Sequence, residues 1–259
     1  MTITINNLKT LTKSNLNLTI IFDYLIGLTG LNLEKEYKII SLIDKKNPVV
    51  IDVGAHKGES IKNFLRYKPN ALIYAFEPNQ NLAGKLNKKF KHCNNITIFD
   101  SAVSNKKNIS LYIPYINGYP FSGLSSVSKK NIIERLNNYY SFDYSKKISF
   151  KNKKIKTITI DELSLNPDLI KIDAEGYEFE ILKTAIKTIK KTKPVLIIEF
   201  NSNSFEKLNT LLEKLNYTGN IYNEEKNNPL TKINLQILRN IKKERNLVNL
   251  IYVNKKSNI

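Results

Sequence analysis

An α/β fold on a doubly wound, mostly parallel sheet is what this 259-residue sequence predicts, and three observations predict it. Short continuous apolar runs alternate with helix-spaced segments between Val49 and Phe200, the pattern of strands buried on both faces. Acidic residues gather at the carboxyl ends of those runs: Asp52, Glu77, Asp100, Asp173, Glu175 and Glu199. Two glycines, Gly54 and Gly58, follow the first run at the mouth of a helical pattern. Alternating strands and helices imply helices on both faces of the sheet. In such sheets ligands sit beyond the carboxyl ends of the strands, at the switch point, and the acids converge there.

The elements follow in order. Residues 1–47 read as an N-terminal helical extension, because Leu33, Tyr37, Ile40, Leu42 and Ile43 have amphipathic spacing. Residues 48–259 read as one domain. Val49–Val53 is the first strand, Ser60–Tyr67 a helix with Ile61, Phe64 and Leu65 inward, and Ala71–Phe76 the second strand. Pro78 suits the first turn of the next helix, whose Leu82, Leu86 and Phe90 share a face. Ile96–Phe99 is the third strand, and Asn108–Ile113 an additional one. Residues 114–154 break the rhythm with Pro114, Gly118, Pro120, Gly123 and a Ser-rich run. They also carry Tyr112's neighbours Tyr115, Tyr119, Tyr139, Tyr140 and Tyr144. A segment of this length reads as an insertion: a lid whose tyrosines stack on sugars or bases, or a small aromatic subdomain covering the sheet. As a lid it would govern acceptor choice, and its deletion would leave cofactor affinity nearly intact. Order returns at Ile155–Leu163, where Thr159–Asp161 reads as a strand end with a helix cap. Leu169–Ile172, one helix carrying Phe179, Leu182, Ile186 and Ile189, Pro194–Phe200, a helix from Phe205 to Leu215, and Leu247–Val253 complete the set.

Composition removes several classes of function. A single cysteine, Cys93, excludes an internal disulfide framework and a cysteine-based zinc site, and two histidines exclude a histidine-rich one. The net charge of +18 raises the prospect of a nucleic-acid partner. The charge is mostly scattered Lys, with only four Arg, which fits a Lys/Asn/Ile-rich composition better than a nucleic-acid surface. No membrane span is expected, since Asp23 and two glycines interrupt the apolar stretch 16–33, and the chain reads as cytoplasmic.

The glycines carry the cofactor reading. Their spacing is G-x-x-x-G, not the dinucleotide pattern G-x-G-x-x-G. Gly54 lets the chain turn off the strand, and Gly58 lets a ligand or strand press on the following helix. Glu77, ending the second strand, is placed to grip ribose hydroxyls. The order of strand, Asp-x-Gly-x-x-x-Gly, helix, strand and Glu-Pro fits a nucleoside ligand without a pyrophosphate, such as S-adenosylmethionine (SAM).

The blocks IDVGAHKGES, YAFEPN, DSAVSN and IKIDAEGYEFEIL, followed by PVLIIEF, resemble the FkbM-type family of SAM-dependent methyltransferases over about 49–200. The resemblance implies a Rossmann-like, seven-stranded sheet and methyl transfer to oxygen on a small molecule or glycan. It places Asp52, Gly54 and Gly58, with Ala55 and Ser60 in the same block, beside the methionine part of SAM. Glu77, followed by Pro78, would bind the ribose diol, and Asp100, Ser101 and Ala102 would lie along the adenine. Asp173 and Glu175 would face the methyl group and acceptor, taking or orienting the acceptor proton; capping of the next helix is their structural alternative. His56 receives no catalytic duty, and no metal is assigned, although Glu199 could join the two acids. An RNA or protein methyltransferase, or a nicotinamide-dependent oxidoreductase on a similar fold, are the other readings.

Overall fold

The computed structural model describes residues 35–116, 118–139, 148–223, 229–234, 236–238 and 248–257. Most of the expected N-terminal extension, with Leu33, lies outside them, as do Tyr140 and Tyr144. A 3-10 helix, Lys35–Leu42, opens the described chain and buries Tyr37, Ile39 and Ile40. Tyr37 meets Phe64 edge-on at 5.1 Å between ring centroids, the arrangement ring quadrupoles favour.

Strands in chain order are β1 (Val49–Val53), β2 (Leu72–Phe76), β3 (Ile96–Phe99), β4 (Ser101–Val103), β5 (Ile109–Ile116), β6 (Tyr119–Pro120), β7 (Ile148–Ile158), β8 (Leu169–Ile172), β9 (Val195–Glu199), β10 (Tyr217–Tyr222), β11 (Leu230–Lys232) and β12 (Asn249–Asn254). Helices are α1 (Glu59–Tyr67), α2 (Gln80–Lys89), α3 (Lys129–Tyr139), α4 (Glu178–Lys183), α5 (Ile186–Thr192) and α6 (Phe205–Lys214). The main sheet runs β11-β10-β12-β9-β8-β1-β2-β3. Its half from β9 to β3 is parallel, and β12 lies antiparallel to both β9 and β10. It therefore has eight strands rather than seven. The extra one, β11, is a three-residue edge strand too short to leave a periodic signal.

The period-two alternation of the strands sorts the core onto two faces. Ile51, Val53, Ile170, Ile172, Leu196 and Ile198 pack with Ile181, Leu182, Ile189, Leu208 and Leu212 of α4–α6. Val50, Ile73, Ala75, Leu169 and Ile197 pack with Ile61, Phe64 and Leu86 of α1 and α2 and with the 3-10 helix. Each Val, Leu, Ile or Phe among them, fully buried, stabilises the fold by roughly 1.5–3 kcal/mol. This double layer presents the carboxyl ends of β1, β2, β8 and β9 on one rigid edge.

Two helix starts depart from the sequence reading. The helix expected across Phe179–Ile189 is two helices, α4 and α5, broken at Thr184 and Ala185. The break creates a new helix start, and Asp161 satisfies it: its carboxylate accepts from Lys187 N at 3.1 Å and from Thr188 N and Oγ1, both at 2.8 Å. Orphan N–H groups at a helix start need such an acceptor. Pro78 stands outside α2, whose N-cap is Asn79, with Oδ1 accepting from Asn81 N at 3.1 Å.

The insertion contains regular structure of its own. A four-stranded sheet, β4-β7-β5-β6, takes the chain from Ser101 onward. β5 and β7 pair antiparallel over eight positions, from Ile109↔Ile155 to Ile116↔Ile148. α3 buries Ile132 and Leu136 against Ile116, with Tyr112, Phe121 and Phe150 around them.

Candidate active site

One cleft of about 840 Å³, part of it continuous with solvent, opens at the carboxyl edge of β1, β2 and β8. Gly54, Glu77, Pro78, Ser101, Ala102, Asp173 and Glu175 line it, so the structure brings together seven of the residues singled out from sequence. Asp52, Ala55, Gly58, Ser60 and Asp100 are not in the lining.

The five displaced residues have identifiable places. Asp52 is 0% exposed and works beneath the cleft, where Oδ2 accepts from Ser60 Oγ at 2.5 Å. Its Oδ1 lies 3.3 Å from Lys171 Nζ. Ala55 is buried, its N–H donating to Phe76 O at 3.1 Å beside that of Gly54 at 3.0 Å, which pins the glycine loop to the end of β2. Gly58 is pressed by α2 rather than by a ligand: a Cβ there would meet Leu86 and Phe90 at 2.9 Å. Asp100 is exposed, because it is the one residue between β3 and β4 and turns outward where the chain passes between sheets.

Gly54 has φ +85, and a Cβ on it would lie 1.8 Å from the backbone oxygen of Asp173. Any other residue collides with the loop after β8. The glycine is thus required by the close approach of two loops as well as by the turn.

Lys171 joins those two loops and is the residue that sequence reasoning missed. It is 2% exposed inside an apolar strand, and β1 and β8 place it directly opposite Asp52. Its Nζ donates to Gly54 O at 2.9 Å and lies 3.4 Å from Asp173 Oδ2. A lysine in a run otherwise buried on both faces demands a buried partner, which is the signal that could have found it.

Glu77 is buried and held by two backbone donors. Oε2 accepts from His56 N and Oε1 from Asn79 N, both at 2.8 Å. Each oxygen keeps a further lone pair for a ligand hydroxyl. Burial pushes the carboxyl up to about 7, against the pull of the two N–H bonds and of Lys171. Phe76, next to it, stacks on Phe99 at 4.6 Å and 6° between planes.

The loop after β8 is an unusual turn: Glu175 and Gly176 both have positive φ, +54 and +91. Glu178 orders it, with Oε1 accepting from Gly176 N at 2.8 Å and Ala174 N at 3.3 Å. Burial raises the pKa of Glu178. The insertion grips the same loop, Ser126 Oγ donating to Glu175 O at 3.2 Å and Asn131 Nδ2 to Gly176 O at 3.3 Å. Asp173, Glu175 and Glu199 bring one carboxylate oxygen each within 4.8 Å of one another.

The roof of the cleft comes from the start of β5 and from the insertion. Ile109, Leu111, Ser122, Gly123 and Ser125–Val127 line it. The Ser-rich run does this rather than the tyrosines: Tyr112 packs against α3 and Tyr119 is 69% exposed. His56 also lines the cleft, in a left-handed conformation at φ +47.

A Rossmann-like sheet whose glycine loop, second-strand carboxylate and post-β8 acids share one cleft defines an enzyme of the nucleoside-cofactor class. The chain belongs to the FkbM methyltransferase family: the methyltransferase FkbM domain matches residues 52–218. SAM is accordingly its cofactor. A 2-O-methyltransferase, NoeI, from Sinorhizobium fredii is 24% identical over 168 residues, covering 62% of this chain and 67% of that one. The crystal structure of an FkbM methyltransferase from Methylobacillus flagellatus KT superposes with a TM-score of 0.50 at 15% identity, over 91% of this chain. The chain spans about half, 53%, of that longer protein. No helix among the described residues is long and apolar enough to cross a membrane.

Proposed function

We propose that this protein transfers the methyl group of SAM to a hydroxyl oxygen of a small molecule or glycan. The observation that carries the reading is the acid cluster of Asp173, Glu175 and Glu199 beside the cleft. The 2-O-methyltransferase relative supports oxygen as the acceptor atom. The lining supports the cofactor reading: Glu77 has lone pairs to offer a ribose diol, and Ser101, Ala102, Val103, Ile109 and Leu111 line the same cleft, where a flat base would lie.

SAM supplies a methyl group already activated by its sulfonium, so the protein's work is alignment and proton handling. Gly54 and Glu77 would hold the cofactor in the cleft that the loop after β8 also lines. Asp173 or Glu175 accepts the acceptor's hydroxyl proton or fixes its lone pair in line. Glu178 and Lys171 hold those acids in place without entering the reaction. In this reading residues 48–259 are one catalytic domain and 114–154 its insertion.

Labelled methyl transfer tests the reading. Protein and [methyl-³H]SAM are incubated with glycan, small-molecule, RNA and protein fractions. Label is expected in an alkali-stable ether of the first two. Label confined to RNA or protein overturns the acceptor class.

A further inference from the structure

Two polar atoms in the cleft wall, His56 Nε2 and Ser125 Oγ, are buried with no hydrogen-bond partner among the described residues. Native proteins leave few such atoms unsatisfied, because each is costly. The two come from different segments. His56 belongs to the glycine loop and Ser125 to the insertion, and the segments nearly meet: a Cβ on Gly123 would lie 3.7 Å from the imidazole Nε2.

Glu77 gives the direction in which a ligand would reach them. The backbone N–H of His56 is bound to Glu77 Oε2 at 2.8 Å, so the imidazole stands one side chain away from the ribose position. With the ribose on Glu77 and the base along Ser101–Val103, the remaining end of the cofactor runs toward Gly54 and His56. That end is an α-amino acid carrying a carboxylate and an ammonium. Burial lowers the proton affinity of His56, and a neutral imidazole offers one acceptor nitrogen. A serine hydroxyl can donate.

We propose that Ser125 Oγ donates to the carboxylate, and His56 Nε2 accepts from the ammonium, of the cofactor's amino-acid end, which makes the insertion part of the cofactor site. The proposal rests on the SAM reading of the cleft, and it replaces the expectation that deleting the insertion spares cofactor affinity.

Calorimetry with two probes tests it. S-adenosylhomocysteine keeps the amino-acid end; 5′-methylthioadenosine keeps the nucleoside and the thioether but lacks that end. Ser125→Ala and His56→Asn are compared with wild type, Asn being chosen because it tolerates the left-handed backbone of His56. Each substitution is expected to weaken S-adenosylhomocysteine about tenfold or more, as loss of a hydrogen bond to a charged group does, and to leave 5′-methylthioadenosine unchanged. Ser125→Thr, which keeps the hydroxyl, should restore binding. Equal losses for both probes, or no loss for either, overturn the proposal. Wild-type protein that binds neither probe overturns the SAM reading itself, a result distinct from a failure of the two contacts.

Discussion

Lowering the pH from about 8 to about 6 should weaken SAM binding roughly tenfold through Glu77, and Glu77→Gln should abolish that component. The carboxyl titrates at about 7 in the free protein because burial outweighs its two backbone donors. Ribose hydroxyls donating to it favour the ionised form, so binding below neutrality expels a proton. With a free pKa of about 7, roughly ten in eleven molecules are ionised at pH 8 and one in eleven at pH 6, a ratio of about tenfold. Near pH 8 Glu77→Gln should cost about 1.5–3 kcal/mol of affinity, the worth of charge-assisted hydrogen bonds. Near pH 6 the gap should shrink. Isothermal calorimetry in buffers of different ionisation enthalpy reads both the affinity and the released proton. Any titration of SAM itself is common to both proteins and cancels in the comparison. The same shift has a stability consequence of definite sign. A raised folded-state pKa gives stability that is fully present below the unfolded value of 4.5 and is lost as pH rises to about 7. Glu77→Gln should therefore gain on wild type over that window, by up to about 3 kcal/mol. Equal pH slopes of affinity in the two proteins would refute the reasoning.

Lys171→Met leaves Asp52 charged and buried without its cation, at a cost of about 3–5 kcal/mol. The melting temperature should fall by roughly 6–20 °C, and an unchanged melt would remove Lys171 from the framework. Gly54→Ala should abolish soluble folded protein or SAM binding, because its Cβ has no room against Asp173; normal binding would show that the two loops can part. Asp161→Ala should cost about 0.5–2 kcal/mol through the lost start of α5, with cofactor affinity intact by calorimetry. Asp173→Asn and Glu175→Gln should lower single-turnover rates at saturating SAM by roughly a hundredfold or more, with much smaller effects on affinity. Wild-type rates in both would move the proton-handling role elsewhere.

Where the chain follows one rule at a time, its sequence is legible. β1, β8 and β9 are mostly apolar runs, and their burial on both faces is what such runs require. The acids at the strand ends are legible for the same reason, since strand direction alone sets where Glu77 and Asp173 emerge. What escapes depends on partners distant in sequence. β7, Ile148–Ile158, carries Lys151, Lys153, Lys154 and Lys156 and has a polar look; it is a strand because β5 pairs with it along its length. The apolar stripe from Phe179 to Ile189 is continuous, but Asp161 stabilises a second start within it. Lys171 stands in a buried run with no partner in sight until Asp52 is placed opposite it. For the roof over the cleft the segment 114–154 is legible as an insertion, but which of its residues line the cleft is not: Ser122–Val127 has no periodicity, and the fold of the second sheet brings it there.

The way the second sheet is attached bears on how such enzymes could be altered. β4 and β7 lie side by side in parallel, from Ser101↔Lys156 to Val103↔Ile158, and Ser104 N donates to Ile158 O at 3.0 Å. Everything from Ser104 to Ile158 therefore leaves and re-enters the chain at neighbouring points, as an exchangeable cassette does. Grafting that cassette from a relative would transplant the roof together with the insertion's grip on Glu175 and Gly176. A chimera would inherit from its donor the ceiling and the posture of the acid loop, while the recipient kept the carboxylate on which the ribose rests.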